Sequence, residues 1–181
     1  MTRHQNIMTL EKFGASAVQD EPNRHPDTDE ALALGPTELA AMLHREHAYI
    51  AQLLERLSVD DVAEDRSSLW GRALTELVAH TDAEEDALYT PLVRSPALQL
   101  ALAPVLDLHG RIRDLLQEMA ELDPRGPQFF ARLDKLRGWL GQHLRAQAEL
   151  LVAATRVSGL AVLDEMCSVF LDRKMDLLYT A

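Results

Sequence analysis

A chain of 181 residues with 47% apolar side chains is long enough for one domain with a hydrophobic core and too apolar for a disordered segment. Its net charge of −11 argues against a general binder of nucleic acid or of anionic membrane, since both need a cationic face. No apolar run approaches the roughly 18–20 residues that span a bilayer. The N-terminal MTRHQNIMTLEKFG lacks the apolar stretch of a secretion signal, and the one cysteine, Cys167, cannot form an internal disulfide, so a reducing cytoplasm is the expected location.

Leu and Ala dominate, β-branched residues are few, and Gly and Pro are sparse, which predicts an all-α fold. Residues 1–35 are polar and mixed in charge. Their stretch DEPNRHPDTDE has two prolines and no period, so a mobile N-terminal arm is expected, with a short helix around residues 8–18. The pattern sharpens at GPTELAAML, where Thr37 is a candidate N-cap.

Four helices with apolar residues every three or four positions follow. The first spans about 37–58, with Ala40, Leu43, His47, Ile50, Leu54 and Leu57 on its stripe. The second spans about 67–90, with Trp70, Ala73, Leu77, His80, Glu84 and Ala87. Pro91, Pro96 and Pro104 interrupt the next connection, and Pro104 suits the first turn of the third helix. That helix carries Leu102, Val105, His109, Ile112, Leu116 and Met119, and LDPRGPQ ends it. The fourth, about 127–154, carries Phe129, Leu133, Leu136, Leu140, His143, Gln147, Leu150 and Ala154. Such stripes predict an up-down-up-down four-helix bundle over residues 36–156. Residues 157–181 contain GLAVLDEMCSVFLDRKMDLL, which is apolar around much of its circumference. It is expected as an additional C-terminal helix packed on the bundle; a homodimer surface is the weaker reading.

The first and third helices share a pattern. HAYIAQLLERL from His47 and HGRIRDLLQEM from His109 both read His-x-x-Ile-x-x-Leu-Leu-x-x-Leu/Met. The second and fourth align on His80 and His143. The two offsets are 62 and 63 residues, so a helical hairpin is used twice.

Each helix therefore has one histidine on its inward stripe. Counted from the hairpin turns near 62 and 125, the four lie between 15 and 18 residues away. That is a spread of roughly 5 Å along the axis, at about 1.5 Å per residue. One isolated core histidine is usually hydrogen-bonded and inert. Four at one level are hard to satisfy, because each neutral ring brings a donor and an acceptor into a dry interior. A cation would convert those lone pairs into bonds. Glu84, one turn after His80 on the same face, adds a carboxylate. Imidazole with carboxylate suits Fe, Zn or Mn, and Cys167 lies outside the set.

These elements resemble the hemerythrin-like, or HHE cation-binding, family. The resemblance rests on His47 in REHAYIAQLL, His80 and Glu84 in HTDAEEDALYTPL, His109 in LHGRIRDLL and His143 in HLRAQAELL, over about residues 37–154. It implies a four-helix bundle with a non-haem di-iron centre held by these histidines and bridged by carboxylates. It also implies a small ligand: dioxygen, nitric oxide or peroxide. The residues leave a single metal, or Zn or Mn, open, and they do not say whether there is turnover.

The chain departs from the family at position 147. The second His-x-x-x-Glu would put a carboxylate there, and this chain has Gln147. Glu149 lies about 120° off the His143 face. Losing one anionic bridge leaves a two-metal site with one more positive charge, which weakens the second metal or calls for another anion. His44 can add a nitrogen, although a solvated boundary residue is the simpler reading. Glu85 or Asp107 can approach an imidazole N–H, although exposed charges are simpler. His4 and His25 are expected in solvent. Tyr49 and Tyr89 can line a ligand pocket, although packing at the bundle surface is the simpler reading; Trp70 and Trp139 are expected in the core or at its boundary, and Cys167 as a small apolar filler. Two functions follow: a hemerythrin-like iron protein, or a degenerate metal-free bundle that acts as a partner-binding module.

Overall fold

A computed structural model of the chain describes residues 37–59 and 65–179. The arm expected over 1–35, with its short helix, lies outside the described residues. Among the described residues there are five long helices and no strand. Helix α1 spans Glu38–Ser58, and its N-cap is Thr37, whose hydroxyl accepts from the Ala40 N–H at 2.9 Å. Helix α2 spans Arg66–Glu84 and is capped by the Asp65 carboxylate on the Ser68 N–H. It runs on through a π-helical turn, Glu85–Tyr89, and a last α turn, Thr90–Leu92. A 3-10 turn, Pro96–Leu98, leads into α3, Gln99–Ala120. Helices α4, Pro127–Ser158, and α5, Leu160–Tyr179, complete the chain.

Two differences from the expected boundaries have local causes. Pro104 stands inside α3 and not in its first turn. A proline there removes the bond to the carbonyl four residues back, at Leu100. Leu100 is 91% exposed, so water can take that carbonyl. Helix α4 runs to Ser158, four residues past the expected end, and stops only at Gly159, whose φ of 80° few other residues adopt.

The apolar stripes assemble into two clusters. One holds Leu39 and Leu43 of α1, Ala83 of α2, Leu102 and Val105 of α3, Leu150 and Ala154 of α4, and Leu163 and Phe170 of α5. The other holds Ile50, Leu54 and Leu57 of α1, Leu69 and Leu77 of α2, Ile112 and Leu116 of α3, and Phe129, Leu133 and Leu136 of α4. Along α1 and α3 the chain passes from the first cluster to the second; along α2 and α4 it passes back. That alternation is the up-down-up-down course of a bundle. In each of these four helices the crossing falls at a histidine. Full burial of each large side chain in these clusters is worth about 1.5–3 kcal/mol, so the clusters hold the helices and the polar layer lies between them.

Gly159 offers a test of the α4–α5 junction. An added Cβ would meet nothing within 4 Å, so any cost is in the backbone alone. Gly159→Ala is expected to lower stability in a urea melt by about 1–3 kcal/mol, with helix content unchanged by circular dichroism.

Candidate metal centre

The layer is built from one histidine of each bundle helix. His47, His80, His109 and His143 are all buried. Neighbouring ring centroids lie 4.6 Å apart for His47 and His80, 4.7 Å for His109 and His143, and 5.8 Å for His47 and His143. At their centre is Glu84, 0% exposed. Its Oε1 is 3.2 Å from His80 Nε2 and 3.5 Å from His47 Nε2. Its Oε2 is 2.9 Å from His109 Nε2 and 3.3 Å from His143 Nε2. One carboxylate thus divides four imidazoles into two pairs, and all four turn the same nitrogen toward it. His47, Glu84 and His143 place ligand atoms within 4.8 Å of one another, close enough to share a cation.

The donor chemistry fits a cation. His47 Nε2 and His80 Nε2 are 2.9 Å apart. One proton can lie between them, and the other nitrogen then presents a lone pair. Nitrogens held at about 2.0–2.1 Å on one ion, at right angles, are about 3 Å apart. His143 has no hydrogen bond at either ring nitrogen, and His80 has none at Nδ1. Of these, His143 Nε2 faces inward, 3.3 Å from Glu84 Oε2 but without hydrogen-bond geometry, and a cation in the layer would use its lone pair.

Position 147 is also in the layer. Gln147 is buried, and its side-chain N–H group donates to Glu84 Oε1 and, at 2.7 Å, to the Tyr89 hydroxyl. The amide therefore supplies a donor to the one carboxylate present. Tyr89, expected at the surface, is 2% exposed, and its ring lies 4.9 Å from that of His109. In a regular α-helix it would point about 140° away from Glu84. The π-helical turn Glu85–Tyr89, in which the Thr90 N–H reaches back five residues to the Glu85 carbonyl, closes that angle. Heptad-like spacing carries no signal for such a turn, so the surface reading of Tyr89 fails and the reading that lines the polar layer holds.

Two of the candidate partners separate clearly. Glu85 reaches His109 Nδ1 at 3.4 Å while holding Arg113 at 2.5 Å, so it is more than an exposed charge. Asp107 pairs with Arg111 at the surface. His44 and Glu149 are exposed and take no part. Tyr49 is exposed as well, and Trp70 packs on Phe129 in the second cluster. His4 and His25 lie outside the described residues. Glu46 and Lys174 escaped sequence reasoning. Glu46 Oε2 is 3.8 Å from His80 Nδ1 and also meets Lys174 Nζ. Lys174 did carry a signal: it stands on the stripe Leu163, Cys167, Phe170 as the one cation on the buried face of an apolar helix.

The electrostatics follow from this packing. Burial works against the Glu84 carboxylate, but the charges of His80 and His143 and a hydrogen bond from His109 outweigh it and hold it well below the carboxylate range. Burial likewise works against the His80 imidazolium, but Glu84 and Glu46 overcome it and raise its pKa to about 9. For His47 burial wins, and its pKa is lowered despite Glu84. Burial, reinforced by the Glu84 charge, pushes the Tyr89 phenol well up. The His80 imidazole and Lys174 together hold Glu46 at about 2 against its burial.

These shifts set a pH dependence for the metal-free protein. A raised folded pKa means that His80 stabilises the fold fully below pH 6.5 and that this contribution is lost as pH rises through about 9. His47 acts only below pH 6.5, where its lowered pKa makes the unfolded chain the better proton acceptor, so it does not enter that window. The thermal midpoint of the metal-free protein should fall between pH 6.5 and 9, and His80→Gln should flatten the slope.

The model of the family described as "Hemerythrin HHE cation binding domain" matches residues 38–154 of the chain. A DNA nickase of Nostoc sp. (strain PCC 7120 / SAG 25.82 / UTEX 2576) is 26% identical over 115 residues, which are 64% of this chain and 32% of that protein. The chain thus matches about a third of the length of that curated relative. No solved structure matches the chain.

Proposed function

This chain belongs to the hemerythrin HHE cation-binding domain family, and we propose that its buried centre is a non-haem iron site that binds O2, NO or peroxide. One observation carries the reading: four Nε2 atoms from four helices face a single, fully buried carboxylate. His47, His80, His109 and His143 with Glu84 would hold the iron. Imidazole and carboxylate are ligands that suit iron, and Cys167 sits apart in the first apolar cluster. Bound iron supplies an open coordination position and a change of oxidation state. The protein's own residues do the rest. The apolar clusters on either side keep water out, and Glu84 fixes the imidazole orientations. Tyr89 and Gln147 put a hydroxyl and an amide beside the same carboxylate.

Gln147 sets this centre apart. A neutral amide in place of a second carboxylate leaves one more positive charge on a two-ion site, so the second ion is held more weakly unless hydroxide or an external carboxylate joins it. The same amide satisfies Glu84 without any ion, and that contact favours the rival reading of a metal-free, partner-binding bundle. The nicking of DNA named for the Nostoc relative is not carried over: a net charge of −11 repels a phosphate backbone. The lone, buried Cys167 suits a reducing cytoplasm. Among the described residues, no helix is long and apolar enough to cross a membrane.

Metal analysis after anaerobic purification, with an optical spectrum taken in air, tests the proposal. About two irons per chain with ligand-to-metal charge-transfer bands support it, and one iron supports a single-ion form. No metal, with a melting temperature indifferent to added iron, sinks it in favour of the rival. His80→Ala should lower iron occupancy. Gln147→Glu should raise occupancy but destabilise the metal-free protein, because two carboxylates would then face each other in a dry layer.

A further inference from the structure

Helix α5 lies beyond the family-matched region, yet it meets the centre at two points. The Phe170 ring stands edge-on to the His80 ring, with centroids 5.4 Å apart. One turn later comes Lys174, only 7% exposed. Its ammonium group joins Glu46 of α1 and Glu76 of α2, the latter at 3.0 Å. The Glu46 oxygen that meets Lys174 is also the acceptor facing His80 Nδ1, at 3.8 Å. That nitrogen has no hydrogen bond among the described residues. A third contact, Arg173 Nε to Asp86 Oδ2 at 2.7 Å, ties α5 to the π-helical turn.

An imidazole offers one nitrogen to a cation best when a carboxylate holds the proton on the other. Glu46 is placed for this, but its side chain is 23% exposed and has water as an alternative. Lys174 removes the alternative by drawing the carboxylate inward. It also separates Glu46 from Glu76, which would otherwise repel each other. A buried ammonium group is tolerable only with such anions around it, so Lys174 and Glu46 need each other in place.

We propose that Glu46 and Lys174 are positioning residues for His80, and that through them the docking of α5 is coupled to metal loading of the centre. The proposal rests on reading the centre as a metal site. Coupling of this kind is reciprocal: the factor by which docked α5 tightens metal binding is the factor by which metal tightens docking. His109 has its own carboxylate and cation, Glu85 from the π-helical turn and Arg113 from α3, neither supplied by α5. The His80 half of the centre is therefore the one whose backing cation comes from α5.

The test uses the full chain, anaerobic Fe(II) and amide hydrogen exchange. In the wild type, Fe(II) is expected to slow exchange over residues 166–177 by a larger factor than over residues 129–136 in the second cluster. Glu46→Ala and Lys174→Met are expected to weaken Fe(II) binding by roughly 10–100-fold, with Lys174→Arg restoring most of it. Lys174→Met keeps the length and the apolar stem, and circular dichroism checks its fold. An α5 that exchanges alike with and without Fe(II) overturns the coupling, and the wild-type protein alone gives that answer. Variants that bind Fe(II) as tightly as the wild type overturn the positioning role. A wild type that binds Fe(II) with an indifferent α5 defeats this inference alone, whereas a wild type that binds none defeats the iron reading with it.

Discussion

A carboxylate buried completely among four imidazoles is the constraint around which this bundle is arranged. Glu84 has no access to water. An isolated charge in that position is untenable, so every helix must bring a compensating group to the same level. A slip of one residue in any helix would turn its histidine by about 100° and move it about 1.5 Å along the axis. The polar layer thus fixes the register of four helices at once. The two apolar clusters cannot do that alone, since leucines tolerate small shifts. Cohesion comes from the clusters and uniqueness from the layer between them.

Most of this plan could be read from the residues. A helix buries a stripe of period 3.6, and four such stripes, each broken by one histidine, fixed both the bundle and the level of the layer. Thr37 as N-cap and the repeat offsets were legible for the same reason: they are local or periodic. What escaped was set by tertiary contact. Tyr89 turns inward because the five residues that follow α2 adopt π geometry, which no periodicity announces. Pro104 is tolerated inside α3 because the carbonyl it leaves without a partner belongs to the exposed Leu100, a matter of position and not of propensity. Glu46 looks like an ordinary surface acid until α5, more than a hundred residues later, lays Lys174 over it.

The two halves of the centre are alike in plan and different in support. Each has a pair of imidazoles on one oxygen of Glu84, and one imidazole of each pair is backed by a carboxylate that carries a cation. On the His109 side the cation is Arg113, from the same helix as the histidine. On the His80 side it comes from α5. Gln147 adds a second asymmetry, because its amide N–H group donates to the Glu84 oxygen that faces His47 and His80. Near-duplicate hairpins have thus given a centre whose subsites are chemically distinct.

The junction at Gly159 has a bearing on how α5 behaves. A single residue separates the end of α4 at Ser158 from the start of α5 at Leu160. A helix on so short a leash cannot diffuse away when its contacts loosen; it pivots and stays within reach of its seat. Its local concentration is then very high, on the millimolar scale for short tethers, and any outside molecule competing for the vacated groove would contend with a resident that never leaves.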